Sequence, residues 1–220
     1  KFDTKILRKV LEIGIPYGVE NGLFQLGRVL VLSLVSTFGT MAIAANSVGY
    51  AIGIFSVLPG FAINLGLTAI ISNCVGANDY EQARYYNRKC LIIVVISHIV
   101  INAIIFASLP YVLGIYNLSA KTAAMTTDMV IWHGIFAIII WPLSFTLPAT
   151  FRGAGDSKSV MYISLAVMFT CRIALSYVIA DWMGIGVFGT WIAMFIDWYV
   201  RAAIYIYRYF SNKWTEYRVV

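Results

Sequence analysis

The sequence predicts an all-α membrane protein, a bundle of six transmembrane helices. Of its residues, 60% are hydrophobic and 12% are charged, whereas soluble domains contain about 25% charged residues. Six apolar stretches are each long enough to cross the roughly 30 Å hydrocarbon core of a bilayer as a helix. They occupy residues 13–35, 42–71, 90–109, 129–151, 160–180 and 185–210. We therefore expect a single six-helix lobe over residues 1–220.

The basic residues indicate how these helices are oriented. Twelve of the sixteen lie before the first stretch, after the second or fourth, or at the end of the last stretch and beyond it, and only Lys121 lies in a break on the other side. Basic residues of membrane proteins collect in cytoplasmic loops. We therefore expect both termini on the cytoplasmic side of the cell membrane, with lipid as a partner. The net charge of +6 has the same origin, so nucleic acid is not an expected partner.

Two local sequence signals predict where the third helix begins and where the fourth helix bends. Asp79 and Gln82 are spaced as in a capping box, so the third helix should begin before the membrane. Pro142 and Pro148 predict a kink in the fourth helix. A proline inside a membrane helix frees a backbone carbonyl, which a neighbouring helix or water then satisfies.

Five charged residues lie well inside the apolar stretches, away from their ends, namely Glu20, Arg28, Arg172, Asp197 and Arg201. Each such group costs about 2.5 to 3.5 kcal/mol near a helix centre unless it is paired or faces water. Asp197 and Arg201 have the spacing and order of an intrahelical ion pair. Arg172 needs a partner from another helix, for which Asp197 or Glu20 would serve. Glu20 has two open roles, either a bridge to Arg28 or Arg172 or a buried acid that exchanges a proton or a monovalent cation.

The sequence gives little support for a metal site, a cofactor site or an enzyme active site. His98 and His133 each stand alone, without a second histidine one helical turn away to form a metal face. Residues 184–189 spell G-x-G-x-x-G, but they open a membrane helix instead of following a strand, as a dinucleotide site requires. We expect no metal, no resident cofactor and no enzymatic activity.

Six short motifs in order resemble those of the second half of the multidrug and toxic compound extrusion (MATE) transporters. The first combines Gly14-Ile-Pro16 with Glu20-Asn-Gly-Leu-Phe-Gln25. The others occupy residues 38–46, 58–60, 74–83, 151–156 and 186–193, and Lys213-Trp214 follows them. No single motif is specific, but their common order and spacing are. The chain therefore resembles the C-terminal six-helix lobe of such a transporter.

The resemblance implies a protein of twelve helices in two lobes, related by a pseudo-twofold axis along the membrane normal. Such transporters export amphipathic, often cationic organic compounds in exchange for Na⁺ or H⁺ through a cleft between the lobes. The implied partners are thus an N-terminal lobe and amphipathic cationic small molecules. Since the first two helices of each lobe line the cleft, the candidate substrate and cation site is Glu20, Asn21, Gln25, Asn46 and Tyr50.

Two positions depart from the family pattern. In the better-described branches an acid lies eight residues after the proline of the first helix, where this chain has Phe24, whereas Glu20 lies only four residues after Pro16. An aspartate of the fourth helix is replaced by Trp141. We therefore do not expect a cation site built from those two acids. Coupling would depend on Glu20 or on the other lobe.

Three alternative functions can be compared with export. A lipid-linked oligosaccharide flippase of the same superfamily would need a cationic cavity for pyrophosphate, which the three intramembrane arginines favour, whereas the loop motifs favour the MATE family. An intramembrane enzyme would need a convergent catalytic group, which His98 and His133 do not supply. The last alternative is a structural half-lobe without activity of its own.

Overall fold

A computed structural model describes residues 4–216, except for the side chains of residues 5, 6, 9 and 13. All regular structure in this part of the chain is helical. The α-helices are α1 (Thr4–Ser36), α2 (Thr40–Gly76), α3 (Tyr80–Ile115), α4 (Ala120–Ile139), α5 (Leu147–Gly153), α6 (Ser157–Val167) and α7 (Val187–Phe210). There are also π-helical segments at Pro142–Thr146, Met168–Ala174 and Tyr177–Trp182, and a 3-10 turn at Lys213–Thr215.

Six helical stretches have the length and apolar composition needed to cross a membrane, which confirms the predicted fold class. They are Val10–Ser36, Thr40–Gly76, Tyr80–Ile115, Ala120–Ile139, Ser157–Trp182 and Val187–Phe210. Most extend beyond the apolar stretches, because a helix can continue into water through polar residues. The third helix begins at Tyr80 instead of residue 90. Asp79 caps it as predicted, since its Oδ1 accepts a hydrogen bond from the backbone N–H of Gln82 at 2.9 Å.

Pro142 interrupts the fourth span, as predicted. The helix α4 ends at Ile139, and the π-helical segment Pro142–Thr146 precedes α5. Proline lacks the N–H that a regular helix needs, and its ring crowds the preceding turn. The carbonyl of Phe145 accepts a hydrogen bond from Asn64 Nδ2 of α2 at 3.2 Å. A neighbouring helix therefore satisfies a carbonyl in the disturbed turn.

The fifth span also departs from α-helical geometry, which was not predicted. Its two π-helical segments, Met168–Ala174 and Tyr177–Trp182, contain no proline. Arg172 lies in the first of them. Because π-helical segments are rare and often occur at functional sites, Arg172 becomes a candidate functional residue.

The core of the lobe lies around α2, which packs against α3, α4 and α5. Three tryptophans, Trp141, Trp191 and Trp198, fill much of this core. Gly60 allows the Trp141 ring to approach α2, since a Cβ at this position would overlap the ring. In contrast, α1 and α2 expose many apolar side chains, among them Leu26, Val29, Phe55 and Leu65. Lipid or another membrane protein can cover such a surface.

An ion pair joins the turn after α5 to the end of α7. Asp156 is buried, and its Oδ2 accepts hydrogen bonds from Nε of Arg208 at 2.9 Å and from Nη2 of the same residue. Arg208 also donates to Ser159 Oγ at 2.9 Å. This pair was not predicted. It ties the glycine-rich turn that contains Asp156 to the last helix of the lobe.

Candidate functional site

A cavity of about 380 Å³ lies between α1, α2, α7 and the π-helical segment Met168–Ala174. This volume falls within the range of about 300 to 1,000 Å³ that is usual for small-molecule sites. One part of its wall is polar or charged and the other part is apolar. The polar part contains Gln25, Arg28, Asn46, Ser47, Tyr50, Arg172 and Thr190, and the apolar part contains Val29, Val31, Leu32, Trp191 and Met194.

The predicted cleft residues divide into two groups. Gln25, Asn46 and Tyr50 line the cavity together, whereas Glu20 and Asn21 do not. Asn21 is exposed and donates from Nδ2 to the Tyr17 carbonyl at 2.8 Å. Glu20 lies five residues before Gln25, a spacing that turns the two side chains to different faces of α1. The structure therefore separates Glu20 from the cavity.

Hydrogen bonds and ring contacts organise the polar wall of the cavity. Arg28 Nη1 donates to Gln25 Oε1 at 2.8 Å, and its guanidinium carbon lies 4.3 Å from the centre of the Tyr50 ring. Trp191 Nε1 donates to Asn46 Oδ1 at 3.0 Å. Gln25 and Tyr50 are both neutral, so Arg28 has no acidic partner among these contacts. It belongs to the cavity wall and not to the ion pairs described next.

A buried charge cluster lies behind this wall. Asp197 is fully buried, and its Oδ1 accepts a hydrogen bond from Arg201 Nη2 at 2.9 Å. This is the intrahelical pair that the sequence predicts. Asp197 Oδ2 lies 3.9 Å from Arg172 Nη1, so Arg172 has the interhelical acid that it was expected to need. One carboxylate thus serves two guanidinium groups.

Phe24 contacts the same two arginines. The centre of its ring lies 5.4 Å from the guanidinium carbon of Arg172 and 5.6 Å from that of Arg201. The face of an aromatic ring attracts a nearby cation. At the position where the family resemblance implies an acid, this chain therefore places an aromatic ring against two cations.

Glu20 forms a separate ion pair with Arg152. Glu20 is 7% exposed, and both of its carboxylate oxygens lie 2.8 Å from Arg152 Nη2. The guanidinium carbon of Arg152 lies 4.9 Å from the centre of the Tyr17 ring. The predicted bridge from Glu20 to Arg28 or Arg172 is wrong, because α5 brings Arg152 to α1 instead. No sequence pattern connects these partners, which are 132 residues apart.

The two histidines pack in the aromatic core. His98 Nδ1 lies 2.8 Å from the Ala137 carbonyl, and its ring contacts Trp141 edge to face at 5.1 Å. The ring of His133 lies 5.8 Å from that of Trp191 and 5.3 Å from that of Trp198. Among residues 4–216, no group of three or more His, Cys, Asp and Glu side chains could hold a metal ion.

Six membrane-length helices, with a partly charged cavity between the first, second, fifth and sixth of them, define an integral membrane protein with room for a small molecule. Residues 16–178 match the family model described as MatE. The chain therefore belongs to the MATE family, whose members are transporters and not enzymes.

Proteins with similar sequences and structures support the assignment to this family. The probable multidrug resistance protein NorM of Thermotoga maritima is 22% identical over 213 residues, covering 97% of this chain and 46% of that protein. The NorM protein of Neisseria meningitidis serogroup B is 26% identical over 202 residues, covering 88% of this chain and 42% of that protein. A crystal structure of MATE in the straight conformation shares the fold, with a TM-score of 0.86 at 15% identity, and covers 98% of this chain and 48% of that chain. The chain thus spans about half the length of the curated relatives it matches.

Proposed function

We propose that the chain is the C-terminal lobe of a two-lobe exporter, and that its cavity forms half of the passage for amphipathic organic compounds. The cavity supports this proposal, because polar side chains of α1, α2 and α7 converge there within apolar helices. Polar groups inside a membrane span are costly and usually mark a substrate or ion pathway. In this proposal an N-terminal lobe covers part of the exposed apolar surface of α1 and α2.

We propose that the protein lies in the cytoplasmic membrane of the cell. In the proposed orientation, both termini are in the cytoplasm. The distribution of basic loop residues supports it. Six spans return the chain to the side from which it started. A cytoplasmic segment could then join one such lobe to another.

We propose that Glu20 couples export to the uptake of H⁺ or Na⁺. The carboxylate is buried and held by Arg152, whereas Asp197, the other acid within the predicted apolar stretches, is already shared by two arginines. Binding of H⁺ or Na⁺ would neutralise Glu20 and weaken its attraction to Arg152. Because this pair joins α1 to α5, its loss would favour a state in which α1 is free to move.

Efflux measurements with the two-lobe protein test this coupling. Glu20→Gln should reduce ion-driven efflux of a fluorescent organic dye by about tenfold or more at normal expression, since the variant can neither ionise nor exchange a cation. Glu12→Gln is the matched control in the same helix, because Glu12 is exposed and pairs with Arg8 on the surface. Unchanged efflux in Glu20→Gln would exclude Glu20 from coupling.

Organic cations are the substrates that the family resemblance implies. Glu20 or an acid of the other lobe would have to compensate their charge, since none of the described residues lining the cavity is acidic. A lipid-linked oligosaccharide flippase is not favoured, because the relatives are named multidrug resistance proteins. We further propose that the six helices need the second lobe for transport.

A further inference from the structure

The charge of the cavity bears directly on what it can bind. Arg28 and Arg172 both line it, and the described lining residues contribute no carboxylate. The contacts of Arg28 are with the neutral side chains of Gln25 and Tyr50. A guanidinium group stays protonated at all accessible pH values. The cavity therefore has a permanently positive wall.

Asp197 offsets only part of the charge of this wall, because it is shared between Arg172 and Arg201. Its distance to Arg201 is 2.9 Å, shorter than the 3.9 Å to Arg172, so its stronger interaction is with the arginine behind the cavity. Three guanidinium groups, those of Arg28, Arg172 and Arg201, together with one carboxylate leave a formal net charge of +2 around the cavity. Unpaired charge among apolar helices is costly. An anionic ligand would reduce this cost, whereas a cationic ligand would increase it.

The shape and remaining chemistry of the wall suit an amphipathic anion. A guanidinium group can bind the oxygens of a carboxylate, sulfonate or phosphate through parallel hydrogen bonds. Tyr50 adds a hydroxyl group to the same wall, and Trp191 and Met194 offer an apolar surface for an aromatic body. The cavity thus combines a place for an anionic group with a place for a ring.

We infer that this lobe binds amphipathic organic anions, with the carboxylate, sulfonate or phosphate near Arg28 and Arg172 and the apolar body against Trp191 and Met194. The inference rests on the proposed export function and names the substrate class of its cavity. It differs from the organic cations implied by the family resemblance. In this lobe such a cation would face two guanidinium groups and no lining acid.

Binding of two matched probes to the purified two-lobe protein tests the inference. The probes are 1-naphthalenesulfonate and 1-naphthylmethylammonium, which share a ring system and differ in charge, and isothermal titration calorimetry measures their affinities. The sulfonate should bind at least about tenfold more tightly than the ammonium. Its affinity should fall as salt is added, because salt screens the attraction.

Three variants locate the binding site. Arg28→Gln and Arg172→Gln should each weaken sulfonate binding by about tenfold or more, since each removes a charge-assisted hydrogen-bond donor. Lys121→Gln is the control, because Lys121 is basic but lies outside this cavity. Arg172→Gln also removes a neighbour of Asp197, so its fold needs checking by thermal unfolding. Arg28→Gln avoids this difficulty, as Arg28 forms no ion pair among the described residues.

Two outcomes would overturn the inference. One is ammonium binding as tight as sulfonate binding, and the other is unchanged sulfonate affinity in a folded Arg28→Gln variant. Dye efflux by the same preparation separates this inference from the proposed function. Efflux without sulfonate binding would leave export standing and reject the anion site. Sulfonate binding that depends on Arg28, without efflux of any organic compound, would leave the site standing and reject export.

Discussion

At the scale of single residues, Asp197 holds the buried charge cluster together. It is fully buried and lies between Arg201 of its own helix and Arg172 of the fifth span. Bringing these charges out of water is costly, and only their mutual attraction offsets that cost. Removal of the carboxylate would leave two guanidinium groups close together with no anion between them.

We therefore expect Asp197→Asn to destabilise the protein strongly. Loss of one partner of a buried ion pair typically costs about 3 to 5 kcal/mol. A clear fall in the midpoint of thermal unfolding in detergent would show this. Glu12→Gln breaks the exposed Arg8–Glu12 pair and should change the midpoint little. Equal midpoints for Asp197→Asn and the parent protein would contradict the role given to the cluster.

Separation along the chain explains which of these contacts were predictable. Asp197 and Arg201 are one helical turn apart, so their pairing follows from the helix itself. The burial cost of a lone Arg172 indicated an interhelical partner but left two candidates. The bridge between Glu20 and Arg152 depends on how α5 packs against α1, which no local pattern contains. The exact position of the cavity was unpredictable for the same reason, although the family resemblance named three of its residues, Gln25, Asn46 and Tyr50.

At the scale of helices, apolar length predicted where the chain crosses the membrane but not where each helix ends. The third helix begins at Tyr80 because polar residues can extend it into water. Pro142 predicted the break in the fourth span through its missing N–H. The π-helical segment Met168–Ala174 has no comparable signal in its sequence, since it contains neither proline nor glycine. Its geometry must come from packing with its neighbours.

Close packing between α2 and the fourth span should make Gly60 intolerant of a larger side chain. A Cβ on Gly60 would overlap the Trp141 ring and lie 2.9 Å from His98 Nε2. Gly60→Ala should therefore destabilise the lobe by about 1 to 3 kcal/mol, as overpacking of a filled core does. Gly66 of the same helix has no neighbour within 4 Å of an added Cβ. Gly66→Ala should be neutral or slightly stabilising, because alanine favours a helix over glycine.

Thermal unfolding of the two alanine variants makes this comparison. Both substitutions add one methyl group to α2 and raise helix propensity equally, so their difference isolates the contact with Trp141. A lower midpoint for Gly60→Ala alone is the expected result. Similar midpoints for the two variants would show that the aromatic core can rearrange around the added methyl group.

At the scale of the whole molecule, the charged cavity and the aromatic core occupy different regions of the lobe. The charged cavity lies between α1, α2, α7 and the fifth span, while the aromatic core lies between α2, the third and fourth spans and α7. Helix α2 contributes to both, with Tyr50 on the cavity side and Gly60 on the core side. Val35 is the one buried residue of this core cluster that α1 supplies, so movement of the rest of α1 could change the cavity with little disturbance of the core. This arrangement suits the proposed coupling through Glu20 on α1.

The proposed orientation predicts which loops an impermeant reagent can reach. Ala77 follows α2 and Ala120 begins α4, so the two exposed residues lie at opposite ends of α3. In a background with Cys74, Cys90 and Cys171 replaced by alanine, a charged maleimide added to intact cells should label Ala120→Cys. It should label Ala77→Cys only after the membrane is opened, because the proposed orientation puts that loop, with the basic residues after α2, in the cytoplasm. The opposite labelling pattern would show that the lobe has the inverted orientation. Arg152 is one of the basic residues assigned to the cytoplasm, so the Glu20–Arg152 pair would then lie near the outer side.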